Sequence, residues 1–501
     1  MGKRGGFVLV ALYLLLITSI EFGVPYVLRV HHEFPMGKDA YWHLENLKII
    51  YNIATGEGSA SIEDISSRRF YYPPLLYFVS LPFCLAAGKV GYAAAYLPYL
   101  AIWFMLNLGL YLLARDIGGL WAGVLAPLAF LGYRQIVYIL GVYNLTIPLC
   151  AWLPFLLMLA FRTEGFLNRG RTLAFFALLA LSFLTYLWVV QFMFFPVIAV
   201  WLLYGRPYKK SFVNILLGAV VGLVIVSPYL LGPGKWPLHH FLTVVGGSKI
   251  DPWSGFFREG SSFYIDHFFK EPLNWLLICV VPFAVFKGRK VLTLLIGGSG
   301  AFLLLHPFKV MHIERLIPLY VFTSVILACG IAKSPRWLKG AVLIVLFSGV
   351  CLTFQKMDGR LSFLIHRGHN IFNLLSFLEK DCRKHPSTNY VWRVIGDDAI
   401  STYLWTSTME LDCVSNRMAL CQDFVEAASD EEHRLLLVAH AHARWTSFCA
   451  SLDSHTMQSV HMRGLWMLIC NNAGRMRTLY SNSSFEVLEV PNDVRLVETG
   501  R

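Results

Sequence analysis

The sequence predicts a polytopic α-helical membrane protein with a C-terminal extracytoplasmic α/β domain. The chain of 501 residues is 56% apolar and only 15% charged, with a mean hydropathy of +0.55, whereas soluble domains carry about 25% charged residues. Its apolar residues fall in blocks long enough to cross a bilayer as helices, and short basic clusters separate these blocks. After residue 355 the composition becomes polar, with short runs typical of strands.

The chain has a net charge of +12, and many of its basic residues are grouped next to the apolar blocks. Lysine and arginine concentrate in the cytoplasmic loops of membrane proteins. The basic groups are Lys3/Arg4, Arg162/Arg169/Arg171, Arg206/Lys209/Lys210, Lys287/Arg289/Lys290 and Lys333/Arg336/Lys339. A nucleic-acid-binding protein would instead present a basic soluble face interleaved with aromatic side chains, which is not visible here. We therefore expect no nucleic-acid partner and assign the basic loops to the cytoplasm.

The positions of these loops predict the topology. Residues 7–27 follow Met-Gly-Lys-Arg and lack a small-residue cleavage site, so we interpret them as a retained signal anchor with a cytoplasmic N-terminus. The block 172–204 lies between two basic loops and should cross twice, as two helices joined near Gln191 and Pro196. Residues 74–88 are too short for the roughly 20 residues of a span and contain two prolines, which predicts an external juxtamembrane helix. About eleven spans follow, at 7–27, 91–113, 118–134, 143–161, two in 172–204, 211–232, 272–286, 291–306, 314–332 and 338–354.

An odd number of spans places the C-terminal part of the chain outside the cytoplasm. We therefore predict a transmembrane catalytic domain at 1–355, with external loops at 30–90 and 233–271, in the cell membrane. Residues 356–501 form the extracytoplasmic α/β domain. Its expected strands are 390–395, 434–439, 465–470 and 485–490, and its expected helices are 372–385 and 423–432.

The first external loop carries a candidate catalytic motif. It reads Gly37-Lys-Asp-Ala-Tyr-Trp-His-Leu-Glu45, and Phe70-Tyr-Tyr-Pro-Pro-Leu75 follows. A lone aspartate here would ordinarily be a solvated loop residue. Asp39 with two aromatic residues and His43, and then Tyr72 before two prolines, resembles the first loop of the C-type glycosyltransferase superfamily. The pattern looks most like the archaeal relatives of the oligosaccharyltransferase catalytic subunit.

Further positions extend this resemblance. Asn144 and Thr146, in Gly141-Val-Tyr-Asn-Leu-Thr146, stand where the family has a second acidic pair. Ser248-Lys-Ile-Asp251 is a weakened match to the family's Thr-x-x-Glu or Ser-x-x-Glu in a large later loop. Arg315, in His312-Ile-Glu-Arg-Leu-Ile-Pro-Leu-Tyr320, matches the arginine that faces the lipid phosphate in the family. Asp397 lies where the oligosaccharyltransferase subunit reads its acceptor, but the tryptophan pair of that motif is missing.

A basic turn also points to phosphate without the resemblance. His306, Lys309, His312 and Arg315 fall within ten residues between two predicted spans. Cations near helix ends often snorkel to the headgroups, but cations are disfavoured on the external side. Four potential cations in one external turn favour binding of a polyprenyl phosphate or diphosphate, with arginine supplying paired donors.

The resemblance and these residues together predict an inverting glycosyltransferase. It would transfer a sugar or oligosaccharide from a polyprenyl-(di)phosphate donor to a protein, glycan or lipid acceptor outside the cytoplasm. We expect Asp39 and Asp251 to be catalytic, with Asp39 acting as a general base or a metal ligand. A divalent cation, Mg²⁺ or Mn²⁺, would be held by Asp39, His43 and Asp251. Asn144, Tyr72 and Asp397 would support the site or the acceptor.

Two alternatives remain open. The donor could be a polyprenyl-phosphate monosaccharide used for transfer to protein, glycan or lipid. The chain could instead be a transporter in which Asp39, Asp251 and Arg315 line a substrate path. Against a transporter, the acids concentrate in external loops rather than in mid-membrane, and no internal repeat is apparent.

Overall fold

A computed structural model describes most of the helical part of the chain and the central strands of its C-terminal part. The described residues are 3–30, 37–56, 73–230, 260–285, 288–305, 313–385, 388–392, 418–419, 434–440, 475, 477–481 and 485–489. The chain forms two compact units. The first comprises residues 1–33 and 43–360, and the second comprises residues 34–42 and 361–501.

Helices dominate the described residues. In chain order they are α1 (Lys3–Thr18), a π-helical turn (Ser19–Gly23), α2 (Val24–Val30), α3 (Gly37–Thr55), α4 (Leu75–Ala87), α5 (Tyr92–Tyr96), α6 (Tyr99–Gly118), α7 (Leu120–Leu131), a 3-10 helix (Arg134–Tyr138), α8 (Thr146–Arg162), α9 (Arg169–Phe183), α10 (Val189–Tyr204), α11 (Tyr208–Leu230), α12 (Gly260–Phe269), α13 (Pro272–Val285), α14 (Arg289–Leu303), a second 3-10 helix (Ile313–Leu316), α15 (Ile317–Lys333) and α16 (Arg336–Lys384).

The protein is a mostly helical, polytopic membrane protein. Within the described ranges, five helical segments are long and apolar enough to cross a bilayer, namely Val8–Val27, Tyr92–Gly118, Tyr208–Leu230, Glu314–Lys333 and Arg336–Lys356. A sixth forms if Phe263–Phe269 and Pro272–Val285, which meet at an angle of 77°, are one broken span. The other predicted spans coincide with helices that are shorter than these candidate spans. The total of eleven spans therefore stays a prediction, as does the external position of α4.

The predicted pair of helices in 172–204 is present, and the break between them lies at residues 184–188, close to Gln191. The prediction was wrong for Pro196, which lies in the interior of α10. Pro196 packs directly against Gly297 of α14, which has no side chain to obstruct it. Neighbouring helices commonly accommodate proline inside membrane helices, so this proline marks a helix contact and not a helix end.

Helix α15 forms the centre of the first unit. Every residue from Ile317 to Ile331 is buried, as expected for a helix that is apolar on all sides. It packs against α6, α7, α8, α13 and α14. By contrast, α11 exposes a face of large apolar side chains, including Phe212, Leu216 and Leu223. A face of this kind suits contact with lipid tails.

The basic loops contact one another at one end of the first unit. Lys290 Nζ lies 2.5 Å from Asp116 Oδ2, and the guanidinium of Arg289 lies over the Tyr204 ring. Asn214 Nδ2 donates to the carbonyl oxygen of Phe166 at 2.9 Å, which joins the start of α11 to the loop after α8. Segments of three of the five basic groups are therefore together in space, namely the loop after α8, the start of α11 and the start of α14. Which side they face stays a prediction.

The second unit contains a mixed five-stranded sheet. Its strands are β1 (Thr388–Trp392), β2 (Met418–Ala419), β3 (Arg434–His440), β4 (Arg477–Ser481) and β5 (Phe485–Glu489). Their order is β2-β1-β3-β5-β4, with β1 parallel to β2 and β3, and β5 antiparallel to β3 and β4. The end of α16 packs on this sheet, where the rings of Phe377 and Tyr480 stack with centroids 4.8 Å apart.

Several predictions for this unit are confirmed. Strands form in the predicted regions 390–395, 434–439 and 485–490, and the predicted helix 372–385 is the end of α16. Strand β4 was not predicted. The predicted strand 465–470 and helix 423–432 lie outside the described residues.

The close packing of α15 on α13 makes a testable prediction. A Cβ atom at Gly330 would lie 2.8 Å from the backbone oxygen and the Cβ of Val280. Because backbone cannot move as a side-chain tip can, Gly330→Ala should lower the free energy of unfolding by about 1–3 kcal/mol through overpacking. Gly340→Ala in α16 is the matched control, since no atom lies within 4 Å of its added Cβ. Thermal unfolding in detergent measures both, and equal melting temperatures would contradict the packing of α15.

Candidate functional site

The end of the first unit opposite the basic loops is polar, and hydrogen bonds and ring contacts connect its segments. We call it the polar end and define it by residues 75–99, 133–146, 184–188, 267–274 and 313–323. Leu75 N donates to Leu184 O at 3.1 Å, and the guanidinium carbon of Arg315 lies 5.1 Å from the centroid of Trp188. Segments far apart in sequence are thus joined here.

The Glu271 carboxylate holds the start of the first 3-10 helix. Its two oxygens accept hydrogen bonds from the backbone N–H groups of Arg134 and Gln135, both at 3.1 Å. Arg134 Nε lies 3.7 Å from the same carboxylate, and only 2% of the Glu271 side chain is exposed. The first N–H groups of a helix lack partners within it. A carboxylate that accepts them forms strong, charge-assisted hydrogen bonds.

Gln135 extends this contact to α12 and α15. Its Nε2 donates to the backbone oxygen of His267 at 2.7 Å, and its Oε1 accepts from the Tyr320 hydroxyl at 2.5 Å. The ring of Tyr320 stacks on that of Tyr133 with centroids 4.0 Å apart. The Tyr133 hydroxyl lies 2.7 Å from Thr323 Oγ1. The 3-10 helix, the bend before α13 and the start of α15 therefore form one hydrogen-bonded assembly.

Tyrosines from α5 and α6 support the turn at residues 139–145. Gly141 N donates to the Tyr96 hydroxyl at 3.0 Å, and Tyr143 N donates to the Tyr92 hydroxyl at 3.1 Å. The Tyr92 hydroxyl donates to Gly141 O. Gly141 has a φ of +65°, in the left-handed region that glycine adopts most readily. Tyrosine hydroxyls thus provide hydrogen-bond partners for several backbone groups of this buried turn.

Asn144 has a structural role in this turn. Its Oδ1 accepts from Thr146 N at 3.0 Å, at the start of α8, and its backbone oxygen accepts from the Tyr99 hydroxyl. Asparagine commonly bonds the backbone two residues ahead in this way. Only 2% of Asn144 is exposed. A neutral, hydrogen-bonded amide therefore occupies the place where the resemblance would put a carboxylate.

His43 is buried and neutral. Its Nδ1 lies 2.8 Å from the Tyr77 hydroxyl, which also accepts from Asn46 Nδ2 at 3.2 Å. Burial lowers the pKa of His43 to about 3, because an apolar environment disfavours the charged ring. The imidazole also meets the Tyr143 ring edge-on, with centroids 6.3 Å apart. A neutral imidazole whose Nδ1 is held by a partner is a form in which histidine can bind a metal through Nε2.

The structure brings two of the predicted site residues near each other. His43 contacts Tyr143, the neighbour of Asn144 in the turn. Asp39 lies in the first turn of α3, and it belongs to the second unit, whereas His43 belongs to the first. Arg315 is half-buried in the second 3-10 helix. Outside the described residues lie Tyr72, Asp251, His306, Lys309, His312 and Asp397.

The described part of the chain does not by itself provide a metal site. Within it, no group of three or more His, Cys, Asp or Glu residues is placed to hold a metal ion. His43 is neutral, and Asn144 Oδ1 is already bonded to Thr146 N. Asp39 and Asp251 stay the predicted carboxylate ligands of a divalent cation.

The sequence analysis did not identify Glu271, the acid of the polar end that accepts two backbone hydrogen bonds and pairs with Arg134. One signal was available, since Glu271 directly precedes Pro272 at the start of an apolar block. Acidic residues and proline are typical of helix starts. The signal indicates a helix terminus, but it does not reveal that the carboxylate bonds a different helix.

Comparison with solved structures establishes the type of fold. ArnT from Cupriavidus metallidurans bound to undecaprenyl phosphate is similar with a TM-score of 0.60 and 13% identity, over 98% of this chain and 99% of ArnT. The apo form of ArnT is similar with a TM-score of 0.58 and 14% identity, over the same fractions of the two chains. The archaeal oligosaccharyltransferase AglB from Archaeoglobus fulgidus, in complex with an inhibitory peptide and a dolichol-phosphate, is similar with a TM-score of 0.54 and 11% identity. That similarity covers 89% of this chain and 71% of AglB.

These likenesses show that the chain has a fold like that of ArnT and AglB. No family model matches the chain, and no curated protein is significantly similar to it in sequence.

The burial of His43 predicts acid sensitivity. The folded state keeps the ring neutral down to about pH 3, whereas the unfolded ring takes up a proton near pH 6.5. The unfolded state therefore binds more protons in this window. The His43 contribution to stability is full above about pH 6.5, and the free energy of unfolding falls by roughly 1.4 kcal/mol per pH unit below it. Between neutral pH and about pH 5 the loss is about 2 kcal/mol.

Unfolding of wild type and His43→Gln at several pH values measures this effect. The variant should lose less stability on acidification. Tyr77→Phe is the control, because it removes the hydroxyl partner but leaves the histidine buried, so it should keep the acid sensitivity. Identical pH dependence of wild type and His43→Gln would show that His43 is not the buried neutral group.

Proposed function

We propose that this protein is a membrane glycosyltransferase that uses a polyprenyl-phosphate-linked sugar as donor and acts on an acceptor outside the cytoplasm. One observation carries the proposal: nearly the whole chain shares its fold with a protein bound to undecaprenyl phosphate. AglB, bound to a dolichol-phosphate, has a similar fold. The polar end supplies an arginine suited to such a phosphate.

Arg315 is the proposed ligand of the donor phosphate. In sugar transfer from a polyprenyl phosphate the leaving group is the phosphate, so negative charge grows on it in the transition state. A guanidinium offers N–H donors in a fixed fork that matches phosphate oxygens. The contact with Trp188 holds the guanidinium through the ring face, at 5.1 Å. Lys309, His312 and His306 are the proposed additional cations of the same phosphate site.

Asp39 is the proposed general base. It would take the proton from an acceptor hydroxyl as that oxygen attacks the sugar carbon on the side opposite the phosphate, with inversion at that carbon. His43, neutral and hydrogen-bonded to Tyr77, fixes the part of α3 that follows Asp39. Asp251 is the proposed second carboxylate. A divalent cation, if bound by Asp39, His43 and Asp251, would supply positive charge next to the donor phosphate.

The proposed orientation follows from the basic loops. Because those loops contact one another at one end, the positive-inside rule assigns that end to the cytoplasm. The polar end and residues 356–501 then lie outside, with the N-terminus in the cytoplasm. The donor phosphate would meet the protein at the external headgroup level of the cell membrane.

Two donor types remain candidates. One is a polyprenyl-phosphate monosaccharide, with protein, glycan or lipid as acceptor. The other is a polyprenyl-(di)phosphate oligosaccharide, which the oligosaccharyltransferase-like motif of Asp39 and His43 supports. Purified protein in detergent distinguishes the two when it is given protein, glycan or lipid acceptors with either undecaprenyl- and dolichyl-phosphate monosaccharides or a polyprenyl-diphosphate oligosaccharide. A monosaccharide donor would release polyprenyl phosphate, the oligosaccharide donor would release polyprenyl diphosphate, and a transporter would release neither.

The first prediction from this proposal concerns Arg315. Arg315→Ala removes a charge-assisted donor from the leaving phosphate, and loss of one such group typically lowers the rate on the order of 10²-fold or more. Arg315→Lys should retain part of the activity, because it keeps the charge but not the fork. Arg206→Ala is the matched control, an arginine over a tyrosine ring at the basic end. Polyprenyl phosphate release is the measurement. Undiminished release by Arg315→Ala would exclude Arg315 from the phosphate site.

The second prediction concerns Asp39. Asp39→Asn preserves the shape of the side chain but removes its charge, so activity should fall by roughly 10²–10⁴-fold. With Asp39 and Asp251 as the carboxylate ligands, we expect weak metal affinity and inhibition by EDTA that excess Mg²⁺ or Mn²⁺ reverses. Full activity in EDTA would assign Asp39 to the base role alone. Full activity of the asparagine variant would end its catalytic assignment.

A further inference from the structure

The first membrane span contains a buried acid that the proposed reaction does not use. Glu21 lies within the apolar segment Val8–Val27 and is completely buried. It belongs to the π-helical turn Ser19–Gly23 that interrupts the span. Ionisable residues inside membrane helices are costly and usually functional, and π-helical turns often mark functional positions.

The only hydrogen bond to Glu21 among the described residues comes from Asn107 of α6. Asn107 Nδ2 lies 2.6 Å from Glu21 Oε2 and 3.2 Å from Thr18 Oγ1. These two contacts use both N–H groups of the amide. Asn107 is itself completely buried. No donor of this amide remains for the second oxygen of Glu21.

Two acceptor atoms of this pair are left without partners. Glu21 Oε1 and Asn107 Oδ1 are both buried, and neither has a hydrogen bond. Within the described residues, no Lys, Arg or His forms an ion pair with Glu21. The titratable group nearest in sequence is Tyr13 on the same span, and its hydroxyl donates to Val124 O. A carboxylate in this setting would be a buried charge without a counter-ion, which is very costly.

We propose that Glu21 carries a proton and pairs with Asn107 as a carboxylic acid with a carboxamide. The acid O–H at Oε1 donates to Asn107 Oδ1, while Asn107 Nδ2 donates to Oε2. One proton thus satisfies both acceptors and removes the buried charge. The pair holds the first membrane span against α6 through two hydrogen bonds between buried side chains.

The acid–amide pair is connected to the polar end through Phe22 and Tyr96. Phe22, the next residue, stacks on Tyr96 with ring centroids 5.6 Å apart, and the Tyr96 hydroxyl accepts from Gly141 N. The acid–amide pair therefore fixes the span that supports the tyrosines under the 139–145 turn. This inference is independent of the proposed glycosyltransferase activity, since it concerns protonation and packing alone.

Infrared difference spectroscopy tests the proton directly. The spectrum of wild type minus Glu21→Gln, in detergent at neutral pH, should show the carbonyl stretch of a protonated carboxyl group, with a small shift in D₂O. Asn107→Leu leaves Glu21 in place but removes its partner, so the same band should move to higher frequency. Absence of the protonated band together with loss of a carboxylate band would overturn the proposal. An ionised Glu21 bridged by water to the indole N–H of Trp103, which is also buried without a partner, would give that result.

Thermal unfolding tests whether the Glu21–Asn107 pair stabilises the packing of the first span on α6. Glu21→Gln replaces the O–H by an N–H and retains both hydrogen bonds, so its melting temperature should stay close to that of wild type. Glu21→Met is similar in size but cannot form either hydrogen bond, so the buried Asn107 amide loses its partner at Glu21. It should melt several degrees lower. Equal melting of the two variants would overturn the role of the pair.

Discussion

The carboxylate of Glu271 is the contact on which the polar end of the first unit depends. It accepts hydrogen bonds from two backbone N–H groups at the start of a 3-10 helix, and its side chain is almost completely buried. Gln135 of that helix then bonds the hydroxyl of Tyr320 on the central helix α15. A buried donor that loses its only acceptor costs about 1–3 kcal/mol, and more when the acceptor is charged. One acid therefore joins the bend before α13, the 3-10 helix and α15.

The fold could be predicted from the sequence wherever it depends on the length and pattern of apolar blocks. Blocks such as 211–232 and 314–332 became α11 and α15, because a bilayer requires long apolar helices. The grouping of the basic loops also followed, since lysine and arginine avoid the external side. The helix break at 184–188 could not be predicted from Pro196, because the outcome depended on Gly297, a residue of another helix. Strand β4 was missed because its sequence, Arg-Thr-Leu-Tyr-Ser, has no alternating apolar pattern.

The candidate site was predictable as a motif but not as a set of contacts. Local sequence drew attention to Asp39, His43, Asn144 and Arg315, all in segments adjoining predicted spans. It could not show that His43 is neutral, because that follows from burial against Tyr77 and Tyr143. Glu271 bonds a backbone 137 residues away in sequence, and backbone N–H groups leave no trace in residue identity. Buried acids such as Glu271 therefore become visible only when the helices are placed.

Hydrogen–deuterium exchange of wild type and Glu271→Gln tests the central claim, that this carboxylate holds the polar end together. A glutamine keeps one acceptor oxygen but turns an NH₂ group toward the second N–H, so that bond is lost. We expect slow exchange at Arg134 and Gln135 in wild type and faster exchange in the variant, spreading to residues 134–146. The basic end, for example the amides of 163–168, should be unchanged. Equal exchange of Arg134 and Gln135 in both proteins would contradict the account.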